Sequence, residues 1–171
     1  MRVSILTVSD RSARGEREDA SGPALIEMVQ GEGWELGEYA VVPDEQDQIE
    51  AQLKAWCDSG EMDVILTTGG TGFSPRDRTP EATLAVAERL APGLAEAMRL
   101  ASLGKTPHAM LSRSVCAIRG STLIVNLPGS TRAARENLSV ILPVLMHGVA
   151  LLREDPSSEA GHTFHKPDPS A

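Results

Sequence analysis

The stretch Val64-Ile65-Leu66-Thr67-Thr68-Gly69-Gly70-Thr71-Gly72 decides how this 171-residue chain is read. Its first half is a short apolar run rich in β-branched side chains, the pattern of a strand covered on both faces of a parallel sheet. Its second half sets three glycines within four positions. Without Cβ atoms in the way, backbone N–H groups can turn toward one point, and the flanking threonine hydroxyls add donors. A strand that runs into such a loop predicts an anion cradle at the carboxyl end of a sheet; a tight strand-to-helix turn holding nothing is the lesser alternative for the loop taken alone. The loop lacks the Gly-Lys-Ser/Thr ending of a nucleotide P-loop and the spacing of a dinucleotide fingerprint, so neither of those sites is indicated.

Similar runs at 3–8 and 39–42 predict two further strands. After the first, Ser21-Gly22-Pro23 opens a helical segment carrying Leu25, Ile26 and Val29, closed by Gly31 and Gly33. After the second, Pro43-Asp44 breaks the run, and Ile49, Leu53 and Trp56 mark a helix over 45–59 that Gly60 stops. Beyond the loop, Thr79 as N-cap and Pro80 at the first helical position launch a helix to about residue 90, followed by one over 94–103. Residues 114–119 and 122–127 read as strands joined at Gly120-Ser121, the first antiparallel at an edge. A last helix covers 132–152, where Pro143 predicts a kink or two shorter helices. Alternation of this kind gives an α/β fold: a three-layer α/β/α sandwich with a mainly parallel central sheet, occupying residues 1–153 as one domain. Residues 154–171, rich in Ser, Pro, His and Gly, are expected to form a disordered tail.

Composition narrows the partners. The net charge is −8 and aromatics are 3%, which argues against nucleic acid and against an anionic membrane surface, while leaving room for a local basic site. Cys57 and Cys116 are too far apart in the chain to argue a disulfide or a metal site. Asp10 and Arg11 follow the apolar start too soon for a signal-peptide core, and no apolar run reaches membrane-spanning length, so a cytoplasmic protein is expected.

Chemistry gathers around the loop. Arg76-Asp77-Arg78 follows it directly; arginine pairs bidentately with phosphate, whereas a carboxylate beside phosphate calls for a cation between them. Asp44, at the carboxyl end of the second strand, is expected on the same rim. One or two carboxylates completed by water and substrate phosphates suit Mg²⁺. Capping of the helix that starts near Glu45 is the plainer role for Asp44, and a helix-dipole role the plainer one for Asp77. Ser9-Asp10-Arg11, the Asp19-Ser21-Gly22 helix start, and Asn126-Leu127-Pro128-Gly129-Ser130 supply further polar groups at strand ends. Ser112 and Ser114 lack a nucleophile-elbow context, and the four histidines share no metal-site spacing.

In order and spacing, Ser9-Asp10-Arg11, Asp19 to Pro23, Pro43-Asp44-Glu45, the Gly-rich loop, Arg76 to Thr83, Leu111-Ser112-Arg113 and Asn126 to Gly129 together resemble the MogA/MoaB family, which includes the molybdopterin adenylyltransferases and a domain of gephyrin. The resemblance covers residues 2–150. It implies transfer of AMP from Mg-ATP to the phosphate of molybdopterin with release of pyrophosphate, in a homotrimer that contacts the metal-insertion protein of the pathway. Asp44 and Asp77 match the family's two essential aspartates, as catalytic and Mg²⁺-handling residues. Thr68, Gly69, Gly70, Thr71 and Gly72 match its phosphate loop. Ser9, Asp10, Arg76, Ser112, Pro128 and Gly129 are expected to line the same pocket. A member that binds molybdopterin without adenylylating it, as a scaffold, is the alternative.

Overall fold

The structure, a computed structural model, describes residues 1–156; the predicted tail beyond 156 lies outside the described residues. Its elements run β1 (Arg2–Val8), α1 (Asp10–Ala13), α2 (Ser21–Gly31), β2 (Glu35–Val42), α3 (Gln46–Asp58), β3 (Val64–Thr68), α4 (Thr79–Val86), β4 (Arg89–Leu90), α5 (Pro92–Leu103), a 3-10 turn (Pro107–Leu111), β5 (Cys116–Arg119), β6 (Thr122–Leu127) and α6 (Thr131–Leu152). The strands form one sheet in the order β2-β1-β3-β6-β5-β4. Pairing is parallel from β2 to β6 and antiparallel at β6-β5 and β5-β4. The expected three-layer sandwich with a mainly parallel sheet is therefore observed.

Strand alternation sends side chains to two cores. Val3, Ile5, Val64, Leu66, Val125 and Leu127 face α2, α5 and α6, meeting Leu25, Val29, Met98, Leu138 and Leu145. On the other face Leu6, Val8, Ile65 and Ile124 meet Ile49, Leu53 and Trp56 of α3 and Ala82 and Val86 of α4. The two cysteines are free and belong to different cores. Four parallel strands thus present their carboxyl ends at one rim, where open α/β sheets gather their ligand sites.

Five expectations need correcting. β2 begins at Glu35 rather than at 39: it is an edge strand with no fully buried residue, so its first half carries no apolar run. A Cβ at Gly37 would lie 2.6 Å from Met62 Sδ and 2.7 Å from Ser4 Oγ, so that strand also needs a residue without a side chain. The helix after the loop stops at Val86, because Glu88 and Ala91 donate their N–H groups to Ile118 and Cys116 and turn residues 89–90 into the strand β4. It is β4, not β5, that forms this edge. Thr79 lies inside the first turn of α4 instead of capping it, and its hydroxyl donates to the Gly69 carbonyl. Finally, α6 is one 22-residue helix rather than two shorter ones, with Pro143 inside it removing one donor from the ladder.

By length and composition α6 is the one helix among the described residues apolar enough to cross a membrane. Its stripe Ala134, Leu138, Ile141, Leu145 and Val149 instead closes the core against the sheet, and its Asn137 is tied to Ser102 of α5.

Candidate functional site

At the carboxyl rim the sheet opens into a cleft of about 570 Å³, within the range of small-molecule sites. Its floor is the Gly-rich loop. Gly69 and Gly70 adopt φ of +106° and +62°, which only glycine holds without strain, and a Cβ at Gly69 would stand 2.2 Å from the Val8 carbonyl oxygen. Thr79 fixes the loop from behind: its hydroxyl donates to Gly69 O and its N–H to Gly70 O (2.8 and 3.1 Å). Because each peptide is planar and trans, the N–H groups of Gly70 and Thr71 point away from α4. On the other side Gly69 N donates to Leu127 O, Thr68 Oγ1 to Pro128 O, and Gly129 packs onto Gly69 Cα.

Asp44 does not cap α3. Its Oδ2 accepts the Asp10 N–H at 2.7 Å, while its own N–H donates to Asp10 Oδ1 at 3.0 Å. Its Oδ1 would lie 3.2 Å from a Cβ on Gly70, and a carboxylate oxygen of Asp77 2.9 Å from one on Gly72, so both aspartates stand close against the glycine backbone, and both line the cleft. Burial raises the Asp44 carboxyl above the usual carboxylate range, and the charges of Asp10 and Asp77 add to that rise. Two carboxylates that repel one another at the wall of a polar cleft suit a cation. No cluster of three or more metal-ligating side chains occurs among the described residues. That donor set fits Mg²⁺, which completes its shell with water and phosphate, better than an enclosed transition-metal centre.

Arg76 reaches across the mouth. Its guanidinium donates to both Asp10 oxygens (3.1 and 2.9 Å) and to Glu45 at 2.9 Å. The guanidinium hydrogen bond lowers the Asp10 carboxyl below its ordinary value. Ser9 caps the short α1 and lines the cleft beside Asp10. Asp19, half-buried at the far wall, accepts from Thr7 Oγ1 (2.6 Å), Tyr39 OH (2.7 Å), Ser21 and the Gly22 N–H. Asp19, rather than Ser21, thus caps the start of α2.

The sequence-predicted set divides. Ser9, Asp10, Asp44, Thr68, Gly69, Gly70, Arg76, Asp77 and Gly129 line the cleft. Thr71, Gly72, Ser112 and Pro128 face a second cavity of about 300 Å³, beside Arg99, Lys105 and Asn137. The expectation of a single pocket is therefore corrected: the Thr68–Pro128 and Gly69–Gly129 contacts form a wall between the two spaces. Arg78, although adjacent to Asp77, lines a third cavity behind the loop. Sequence reasoning missed Arg14 and Arg17, which join Arg11 and Arg76 around the cleft among the carboxylates of Asp10, Glu18, Asp19, Asp44 and Asp77. The run Arg11 to Arg17 after β1 was the available signal.

Known proteins agree with this architecture. Residues 4–147 match the family model described as a probable molybdopterin binding domain. Gephyrin of Dictyostelium discoideum is 42% identical over 97% of this chain, which spans about a quarter (24%) of that relative's length. Molybdopterin adenylyltransferase of Helicobacter pylori is 41% identical over 88% of this chain and 86% of its own. Among solved structures, the molybdopterin biosynthesis enzyme MoaB of Thermus thermophilus superposes with a TM-score of 0.85 at 53% identity, covering 91% of this chain and 98% of that one. With the family model, the relatives and the fold in agreement, the chain belongs to the MogA/MoaB family of molybdenum cofactor biosynthesis proteins.

Proposed function

We propose that this chain is a molybdopterin adenylyltransferase of the cytoplasm, using Mg²⁺ and ATP, the activity named for its Helicobacter pylori and Escherichia coli relatives. The observation that carries this reading is the pair Asp44 and Asp77, set against the two glycines of the cradle where a Cβ would stand. In the reaction a phosphate oxygen of molybdopterin attacks the α-phosphorus of ATP. A new P–O bond forms, the bond from that phosphorus to the oxygen bridging to the β-phosphate breaks, and pyrophosphate leaves with the electron pair.

Such a transfer rests on positioning and charge neutralisation and needs no protein nucleophile. Asp44 and Asp77 would hold Mg²⁺, which when bound neutralises charge on the phosphates. The loop offers the Gly70 and Thr71 N–H groups, whose directions Thr79 has already fixed. Arg76, paired with Asp10 and Glu45 in the free protein, exchanges those carboxylates for a substrate phosphate and aligns it. Ser9, Asp10, Thr68 and Gly129 line the same cleft, and Thr71, Gly72, Ser112 and Pro128 extend the binding surface into the adjoining cavity. A homotrimer belongs to this reading, with exposed Leu100, Val144 and Met146 supplying apolar surface for self-association; light scattering measures it.

Purified protein incubated with Mg-ATP and molybdopterin is expected to yield adenylylated molybdopterin and pyrophosphate. Asp44→Asn and Asp77→Asn are each expected to lower turnover by about 100-fold or more while molybdopterin still binds. Near-normal turnover in both variants overturns the mechanism. Tight molybdopterin binding by the wild type without product makes the chain a binding-only member.

A further inference from the structure

Arg113 stands outside the cleft, yet it is bonded to both ends of the loop that carries Asp77. Its Nε donates to the Gly72 carbonyl at 2.6 Å and one terminal nitrogen to the Asp77 carbonyl at 2.7 Å. The same guanidinium pairs with the Glu81 carboxylate in the first turn of α4. Its backbone N–H donates to Thr71 O at 2.9 Å. One residue, arriving from the segment before β5, therefore holds three successive landmarks of the cradle and its exit: Thr71, Gly72 and Asp77.

Between Gly72 and Asp77 the chain turns back on itself through Ser74, whose N–H donates to Asp77 Oδ2 and whose carbonyl accepts the Asp77 N–H (both 2.9 Å). Phe73 is two-thirds exposed, and a cavity of about 330 Å³ lies behind the loop, between Phe73, Pro75, Arg78, Glu81 and Arg113. Asp77 lines both the 570 Å³ cleft and this space, and the Ser74 N–H holds its carboxylate, so side-chain packing alone cannot fix the path of the loop backbone that carries them. A planar guanidinium with donors in a fixed fork can, because each held carbonyl fixes a peptide plane and the N–H on its far side. Lysine, a point charge with rotatable donors, cannot bridge two carbonyls and a carboxylate in that geometry.

We propose that Arg113 is a positioning residue for adenylyl transfer: through Gly72, Asp77 and Glu81 it holds the 72–77 loop so that Asp77 presents its carboxylate to the cation and phosphates in the cleft. The proposal rests on the adenylyltransferase reading given above. It also makes Glu81 the anchor of the clamp, since the carboxylate fixes the guanidinium on α4.

The test compares Arg113→Lys, Arg113→Gln and Glu81→Gln with wild type as full chains. In AMP transfer with Mg²⁺ titrated at fixed ATP, both Arg113 variants are expected to need about tenfold more Mg²⁺ for half-maximal rate, with kcat partly restored at saturating Mg²⁺. Glu81→Gln, which keeps shape and one acceptor, is expected to shift less. Amide hydrogen exchange on residues 72–78 supplies a second readout that needs no turnover: faster exchange there, with β1 and β3 unchanged, is expected in the Arg113 variants. A folded Arg113→Gln protein with wild-type Mg²⁺ dependence and wild-type exchange in this loop overturns the proposal. A wild type that binds molybdopterin but forms no product overturns the adenylyltransferase reading instead, and the exchange measurement still decides whether the clamp exists.

Discussion

Asp10 and Asp44 exchange hydrogen bonds, each carboxylate accepting the other's backbone N–H at 2.7 and 3.0 Å, so the carboxyl ends of β1 and β2 are clasped beside the Gly-rich loop. The clasp separates two roles of Asp10. Its oxygen closes the rim, and its charge holds Arg76. Asp10→Asn keeps an acceptor for the Asp44 N–H and is expected to cost less than about 1 kcal/mol, because the Arg76 pair is exposed and worth little. Asp10→Ala leaves that N–H without its acceptor and is expected to cost about 1–3 kcal/mol. Urea denaturation measures both; equal costs would show that the clasp contributes nothing.

The pH dependence of the two partners has opposite sign. Arg76 lowers the Asp10 carboxyl, so its contribution to stability is present above the ordinary value of 3.8 and is lost as pH falls through the lowered one. Burial raises the Asp44 carboxyl, so its ionisation costs stability as pH climbs from 3.8 through the raised value. Asp44→Asn removes that cost. The variant is expected to gain stability relative to wild type as pH rises out of the acid range, seen as a Tm difference that grows from acid to neutral pH. A difference that shrinks over that interval sinks the assignment.

Much of this was legible in the sequence. The strand-then-glycine pattern at 64–72 placed the cradle because β-branched runs and glycine clusters act locally, through sterics. Asp44 and Asp77 could be placed on one rim because parallel strands share a carboxyl end. What escaped was non-local. β2 hides its first half because an edge strand need not be apolar, and β4 exists only because β5 presents free acceptors to residues 88 and 91. The wall between the two cavities arises from backbone contact of Gly69 with Gly129, and neither glycine announces the other in sequence.

Two glycines with positive φ separate conformational strain from close approach. Gly15 adopts +70° with nothing within 4 Å of a Cβ, so Gly15→Ala is expected to cost about 1 kcal/mol from backbone strain alone. Gly69 adopts +106° and a Cβ there meets a backbone oxygen that no rotamer change can move. Gly69→Ala is expected to cost about 3 kcal/mol or more and to abolish nucleotide binding. Thermal melts of the two variants check the ranking, and comparable Tm losses contradict it.

Asn126 pins the floor of the site from inside the sheet. It is fully buried on β6; its amide donates to Thr67 Oγ1 of β3 and Thr83 Oγ1 of α4 (3.0 and 2.8 Å), and its Oδ1 accepts the Val115 N–H. Asn126→Leu keeps the branched skeleton but is bulkier and strands those groups without partners, an expected loss of about 2–4 kcal/mol. The triple variant with Thr67→Val and Thr83→Val removes two of the stranded hydroxyls and is expected to recover part of it. A single variant as stable as wild type rules out the pin.

Tyr39 is the chain's sole tyrosine, so its ionisation can be followed in the ultraviolet without ambiguity. Burial, together with the hydrogen bond to Asp19, pushes its phenol up to about 12 from an ordinary 10.0. A raised value means that the folded state favours the proton, so the contribution to stability is fully present below pH 10 and is lost as pH rises toward 12. At its other end the same pair acts in acid: burial opposes ionisation of Asp19, but donors from Thr7, Tyr39, Gly22 and Ser21 outweigh it and lower the carboxyl, so that support fades as pH falls below 3.8. The native protein is expected to show a phenolate midpoint well above that of the urea-unfolded chain, and Asp19→Asn, which removes the charge but keeps the burial and an acceptor, to lower it part of the way. A native midpoint already at 10, or one that Asp19→Asn leaves in place, would show that the Tyr39–Asp19 contact does not hold the wall of the cleft.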